Sequence, residues 1–273
     1  MAGAAALALA ACGQKAETTP EPAASSEAAS AATEDRTANA GNVVDYAAIA
    51  AAAIADPARS EEDRAKDEPR KAQETLAFME VAPGAAVFEI EAGGGYYTEL
   101  FSHAVGAAGS VVMQNPEGFR NFVGDEIDAR LADGRLANVR ESYSNFDAFD
   151  APDSSVDLVT WVWGPHELYY HPEGRSLGDP AKSYAEIFRV LKAGGAFVVI
   201  DHSAVDGAPE TTGNDLHRID KAIIMQMADQ AGLTLVSDED FLANPEDTRT
   251  IGVFDPSIRG HTDQFALRFR KPE

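Results

Sequence analysis

Residues Val87–Leu100 read VFEIEAGGGYYTEL, a short apolar run that carries two glutamates and ends in three consecutive glycines. The run has the length of a buried strand and helical residues follow from Tyr97, so the glycines form a strand-to-helix turn. Glycines there let a backbone approach a ligand closely. A dinucleotide fingerprint needs a third spaced glycine, but Gly93-Gly94-Gly95 is followed by Tyr96, Tyr97 and Thr98; a phosphate loop needs Gly-Lys-Ser/Thr, which is missing. That leaves a nucleoside ligand with no phosphate to hold. Acid–base chemistry is offered by His166 and by the Asp201-His202 pair, each placed after a strand-like run. His202 is the first candidate base, His166 the second, and Asp201 stands beside them. His166, His171 and His202 with Asp201 match no dense ligand spacing, so no metal is expected. Trp161, Trp163, Tyr169 and Tyr170 read equally as pocket lining or as core, and His217 reads as solvent-facing on its helix.

These residues must be positioned by alternating strands and helices. Helices are expected over Val43–Ala55, over Arg70–Glu80 up to the Pro83-Gly84 stop, and over Tyr97–Val105. Strands are expected at Val87–Ile90, Ser110–Met113, Val139–Glu141, Asp157–Trp163 and Ala196–Asp201, with helical stretches between them. Before the fifth strand Asp179 caps a helix, Pro180 suits its first turn, and Tyr184, Ile187, Phe188 and Leu191 share one face, with Gly194-Gly195 as its end. Two more strands, Leu233–Ser237 and Gln264–Arg270, follow with an irregular connection that lets the last insert antiparallel. The fold class is therefore α/β, a Rossmann-like, seven-stranded, mostly parallel sheet with helices on both faces and an antiparallel last strand. In such sheets ligands sit beyond the carboxyl ends of the strands, where the glycine turn and the histidines would meet.

A chain of 273 residues with 45% apolar content can bury a full core. A net charge of −23 with no compensating basic cluster argues against nucleic acid as a partner. The single cysteine, Cys12, excludes an intrachain disulfide and a cysteine-based zinc site. Leu9-Ala10-Ala11-Cys12 resembles the lipobox of bacterial lipoproteins, and the following Ala-, Ser-, Thr- and Pro-rich stretch reads as a tether. The organisation read from this is a signal segment over 1–12, a linker over 13–42 and a catalytic domain over 43–273. Lipidation at Cys12 would anchor the chain to the cell envelope, facing the periplasm at the outer membrane; without a genuine signal its place would be the cytoplasm.

Over about residues 68 to 271 the chain resembles class I S-adenosylmethionine-dependent methyltransferases. Glu89, Gly93 and Gly95 match the family's first motif, an acid followed by spaced glycines, with Glu91 where the first glycine usually stands. Asp157-Leu158-Val159 and Val190-Leu191-Lys192-Ala193-Gly194-Gly195 match its later strand motifs. GGGYYTEL, Asp201-His202, NPEDTR and TDQFALRFRKP resemble a bacterial subgroup of undefined substrate. The resemblance implies S-adenosylmethionine as cofactor and a small molecule or a protein as methyl acceptor. It implies that Glu89 and Gly93, Gly94 and Gly95 lie against the cofactor, with Tyr96 and Thr98 opening the helix behind them. Asn115 would replace the acid that holds the ribose, so Asn115→Asp is expected to tighten binding, and Asn145 or Asp147 would fall near the adenine. Glu91 is read first as turned outward to solvent and second as attracting the ligand's cationic groups. The alternative function is a binding protein that keeps the fold without transfer, in whose favour stand Glu91 and Asn115.

Overall fold

The computed structural model describes residues 44–171 and 174–273. From Val44 onward the chain forms one compact unit. Seven strands make a single sheet: β1 (Ala86–Ile90), β2 (Ser110–Asn115), β3 (Val139–Tyr143), β4 (Val156–Val162), β5 (Leu191–His202), β6 (Thr234–Glu239) and β7 (Gln264–Arg270). Their order is β3-β2-β1-β4-β5-β7-β6. The first five run parallel, and β7 lies antiparallel between β5 and β6, as the sequence predicts. The chain reverses direction across the sheet between β1 and β4, which opens a crevice at their carboxyl ends.

Alternation along the strands divides the core between two faces. Phe88 and Ile90 of β1, Trp161 of β4 and Phe197 and Val199 of β5 pack under α6 (Pro180–Val190) and α8 (Lys221–Gln230). Val87, Leu158, Val198 and Ile200 face α1 (Tyr46–Ile54), α3 (Ala72–Phe78) and α4 (Tyr96–Val105). The short α2 (Glu61–Arg64) precedes α3, α5 (Arg120–Leu131) follows β2, and α7 (Thr212–Leu216) precedes α8. The Asp179 side chain accepts from the Lys182 backbone N–H at 2.9 Å and Pro180 occupies the first turn of α6, as its sequence requires. That helix stops at Val190 rather than at the glycine pair; Leu191 already has extended angles, and Gly194 and Gly195 lie inside β5. Among the described residues no helix is long and apolar enough to cross a membrane.

Phe197 is fully buried and stacks on Phe269 at 5.9 Å while meeting Tyr184 edge-on. Phe197→Ala should therefore lower unfolding stability by about 3–5 kcal/mol in urea titration.

Candidate functional site

The glycine turn begins with Glu91, whose φ of 54° puts a non-glycine residue in the left-handed region. Its backbone N–H donates to Gln114 Oε1 at 2.9 Å, and its carboxylate accepts from Trp161 Nε1 at 3.0 Å. Glu91 thus turns inward, which corrects the expectation of outward solvation. Burial first, and Glu167 second, raise its pKa well above the ordinary carboxylate value. Gln114 Nε2 also donates to the Ser144 carbonyl at 2.7 Å, so one buried amide ties the ends of β1, β2 and β3 together.

Asn115 performs the matching task one residue later. Its Oδ1 accepts from Gly93 N–H at 2.8 Å and its Nδ2 donates to the Gly93 carbonyl at 3.1 Å. The side chain is an amide clamp on the turn, with one N–H and one lone pair left for any ligand. Asn115→Asp removes the donor and sets a carboxylate oxygen against the Gly93 carbonyl. It should lower stability by about 1–3 kcal/mol in thermal or urea unfolding, a cost separate from the tighter cofactor binding expected from the sequence.

The three glycines have different neighbours. A Cβ on Gly94 would lie 2.1 Å from Glu126 Oε2, and one on Gly95 would lie 2.8 Å from both Arg130 Cδ and Met113 Cε. Nothing lies within 4 Å of a Cβ on Gly93, which is the open face of the turn. Arg130 Nε donates to the Gly94 carbonyl at 2.6 Å and its guanidinium pairs with Asp63 at 2.7 Å and with Glu99. Helix α5 therefore covers one side of the turn and leaves the other free.

Glu89 lies behind the turn, buried on the α4 face, and accepts from the Thr98 hydroxyl. Burial outweighs that bond and pushes its pKa up to about 8. Tyr96 and Tyr97 are buried, and the Arg70 guanidinium lies 4.4 Å from the Tyr96 ring and 4.3 Å from that of Trp163. Arg70 carries no spacing signal in the sequence, and only the fold brings it to the crevice. Asn145 is exposed and Asp147 half-buried on the far side of the site, where they share a groove with Tyr169, His171 and Glu210.

At the ends of β4 and β5, Asp201 is completely buried and gathers the candidate bases. It accepts the backbone N–H of His166 at 2.9 Å, that of His202 at 2.7 Å, and the Nδ1–H of His166 at 2.8 Å. The His166 and His202 rings are 6.0 Å apart. Although burial opposes it, Asp201 and then Glu167 raise the His166 pKa to about 10. Burial lowers that of His202 to about 3; its Nδ1 is bonded to Thr262 Oγ1 at 2.7 Å and its ring stacks 5.5 Å from Trp163. Trp161 belongs to the core and Trp163 donates to Gln264 Oε1 at 2.8 Å. His217 does not face solvent: it is half-buried, its ring 4.7 Å from Tyr170 and 5.4 Å from His166. Glu167 escaped the sequence reading and so did its pairing with His217, since their contact spans fifty residues.

Glu89 sets a pH dependence. Its folded pKa, about 8, exceeds the usual carboxylate value of 4.5, so between these limits the folded state holds more protons than the unfolded one. The contribution is complete below the lower limit and is lost as pH rises through the upper. Wild-type stability should fall across that window by up to about 1.4 kcal/mol per pH unit, and Glu89→Gln should flatten the slope in urea titrations.

The profile of the ubiE/COQ5 methyltransferase family matches residues 68–236. The chain is 32% identical over 125 residues to the ubiquinone/menaquinone biosynthesis C-methyltransferase UbiE of Hydrogenovibrio crunogenus, covering 46% of this chain and 45% of that protein. Against the protein of the same name from a Marinomonas species it is 29% identical over 196 residues, covering 71% and 67%. The chain thus spans about half the length of the first relative and two thirds of the second. In fold it is similar to a SAM dependent methyltransferase from Aquifex aeolicus, with a TM-score of 0.52 and 20% identity over 84% of this chain and 99% of that one. These relatives, named for quinone biosynthesis, overturn the expectation of a lipid-anchored, periplasm-facing chain. Cys12 and the segment around it lie outside the described residues.

Proposed function

The chain belongs to the ubiE/COQ5 methyltransferase family, and we propose that residues 43–273 form an S-adenosylmethionine-dependent methyltransferase that adds a methyl group to carbon in a small-molecule acceptor. The observation that carries this reading is the open space beside Gly93, in the turn at the carboxyl end of a central strand, on the sheet edge where the ends of the parallel β4 and β5 bring Asp201 and its histidines. The donor set suits the cofactor. Gly93 admits close approach, Asn115 has an N–H and a lone pair to spare beside it, and Arg70 offers a cation to a carboxylate. Glu89, Gly94, Gly95, Tyr96 and Thr98 shape the turn from behind, and this reading assigns the adenine edge to Asn145 and Asp147.

Bound there, S-adenosylmethionine supplies an electrophilic methyl on sulfur. The protein's contribution is alignment and the exclusion of water. Trp161, Trp163 and Tyr169 wall the end of β4, and Glu91 fills the space beside Trp161. An acceptor carbon that took up the methyl group would have to lose its hydrogen, which leaves the protein a proton to remove. His202 is the candidate base, kept neutral by burial and oriented by Thr262. Asp201 positions it through the His202 backbone N–H and holds the His166 ring next to it.

Calorimetry with S-adenosylmethionine and with its demethylated product should give one-to-one binding to the wild type. Gly93→Val, which puts a branched side chain into open space at a positive φ, should weaken that binding at least about tenfold, or 1.4 kcal/mol. His202→Ala should keep the affinity and lower kcat by about 100-fold or more in a transfer assay with quinol-type acceptors. A folded wild type that binds neither ligand at millimolar concentration would instead favour a binding protein that keeps the fold without transfer.

A further inference from the structure

Beside the proposed base lies a cluster that methyl transfer does not use. His166 and Glu167 come from the tight turn Pro165–Tyr169 after β4, and His217 from the end of α7. Helix α7 can approach that turn because Gly213 has no side chain; a Cβ there would lie 2.6 Å from the His166 carbonyl oxygen. The approach brings two imidazoles onto one carboxylate oxygen. His166 Nε2 lies 3.4 Å and His217 Nδ1 3.2 Å from Glu167 Oε1, and the three donor atoms are all within 4.8 Å of one another. We propose that His166, Glu167 and His217 bind a divalent transition-metal ion of the zinc type, with the remaining coordination position open to water or to an oxygen of the acceptor.

The geometry of the cluster supports this. Zinc bonds of about 2.0–2.1 Å in tetrahedral geometry set neighbouring donors about 3.3 Å apart, close to the two separations found. Asp201 holds the Nδ1–H of His166, the carboxylate–histidine arrangement that fixes the tautomer and presents Nε2 as a lone pair. Between Nε2 and Glu167 Oε1 there is then a place that either a proton or a metal cation can fill. His217 is held at φ 52°, a conformation few residues adopt, by a chain that continues into the fully buried Arg218–Asp247 pair at 2.8 Å. Two histidines and one carboxylate suit zinc, cobalt, iron or nickel better than magnesium or calcium. The assignment rests on these residues alone and not on the transferase reading.

The test uses the full-length, tag-free chain after chelator treatment, titrated with Zn2+ in a calorimeter and with Co2+ in a spectrophotometer, without S-adenosylmethionine. One ion per chain and the visible bands of low-symmetry cobalt are expected. His217→Ala and Glu167→Gln should each weaken binding at least about tenfold, and Asp201→Asn by about 10–100-fold. His261→Ala, far from the cluster in sequence, should bind as the wild type does, and circular dichroism should show every variant folded. Wild type that is folded yet binds no ion at about 0.1 mM overturns the proposal, as does binding that survives both His217→Ala and Glu167→Gln. Cofactor binding read separately tells failure of this site from failure of the transferase reading.

Discussion

Two buried amides at the end of β2 hold the turn on which the site is built. Gln114 and Asn115 are almost wholly inaccessible, and a buried amide is tolerated only when its donor and acceptor ends are both satisfied. Each end is used here on backbone that ordinary secondary structure leaves unpaired: the N–H of Glu91, the N–H and carbonyl of Gly93, and the carbonyl of Ser144. This requirement accounts for the amide where related enzymes are expected to carry an acid. A carboxylate offers only acceptors and would satisfy half of the clamp. Glu91 fits the same scheme. Its left-handed conformation is unfavourable, but its backbone N–H is anchored by Gln114 and its side chain by Trp161, so two bonds offset the strain that glycine would avoid.

Across the crevice Asp201 plays the corresponding part. One carboxylate with three N–H donors gives two histidines opposite characters: His166 shares its ring proton and is driven toward the charged form, while His202 receives only a backbone bond and burial keeps it neutral. Glu91, Trp163 and His217 all adopt positive φ, and all three surround this crevice. They are three of the eight described non-glycine residues with positive φ, and the sheet beneath them supplies the stability that such loops give up.

The sheet was legible in the sequence because its signals are local. Apolar runs of strand length, Asp179-Pro180 at a helix start and the alternating Phe265, Leu267 and Phe269 each carry their own evidence. The glycine turn and Asp201-His202 were legible for the same reason. What escaped depends on distant pairs. Glu167 meets His217 only because Gly213 admits α7, and Arg70 reaches Trp163 only because the segment before α3 folds over the end of β4. Asn115 was visible as a substitution, but whether its amide would face a ligand or its own chain depends on where Gly93 lies. Glu91 was misread for a related reason: a carboxylate in a turn is normally solvated, and only the indole N–H of Trp161, seventy residues away, draws it inward.

The glycine motif itself divides between folding and binding. Helix α5 is fastened over the turn by Arg130, which bonds the Gly94 carbonyl, Asp63 and Glu99, while Arg135 also pairs with Glu99. Side chains from that helix occupy the space a Cβ would need at Gly94 and Gly95, and Gly95 has a φ of 85° besides. Those two positions are glycine because the protein packs against itself there, and they would need to be glycine whether or not anything bound. Gly93 alone is glycine with nothing to touch. Its φ of 58° is one that side chains rarely adopt, so the backbone angle already favours glycine. Open space beside it is a second reason, and it is the space that the proposed cofactor would use.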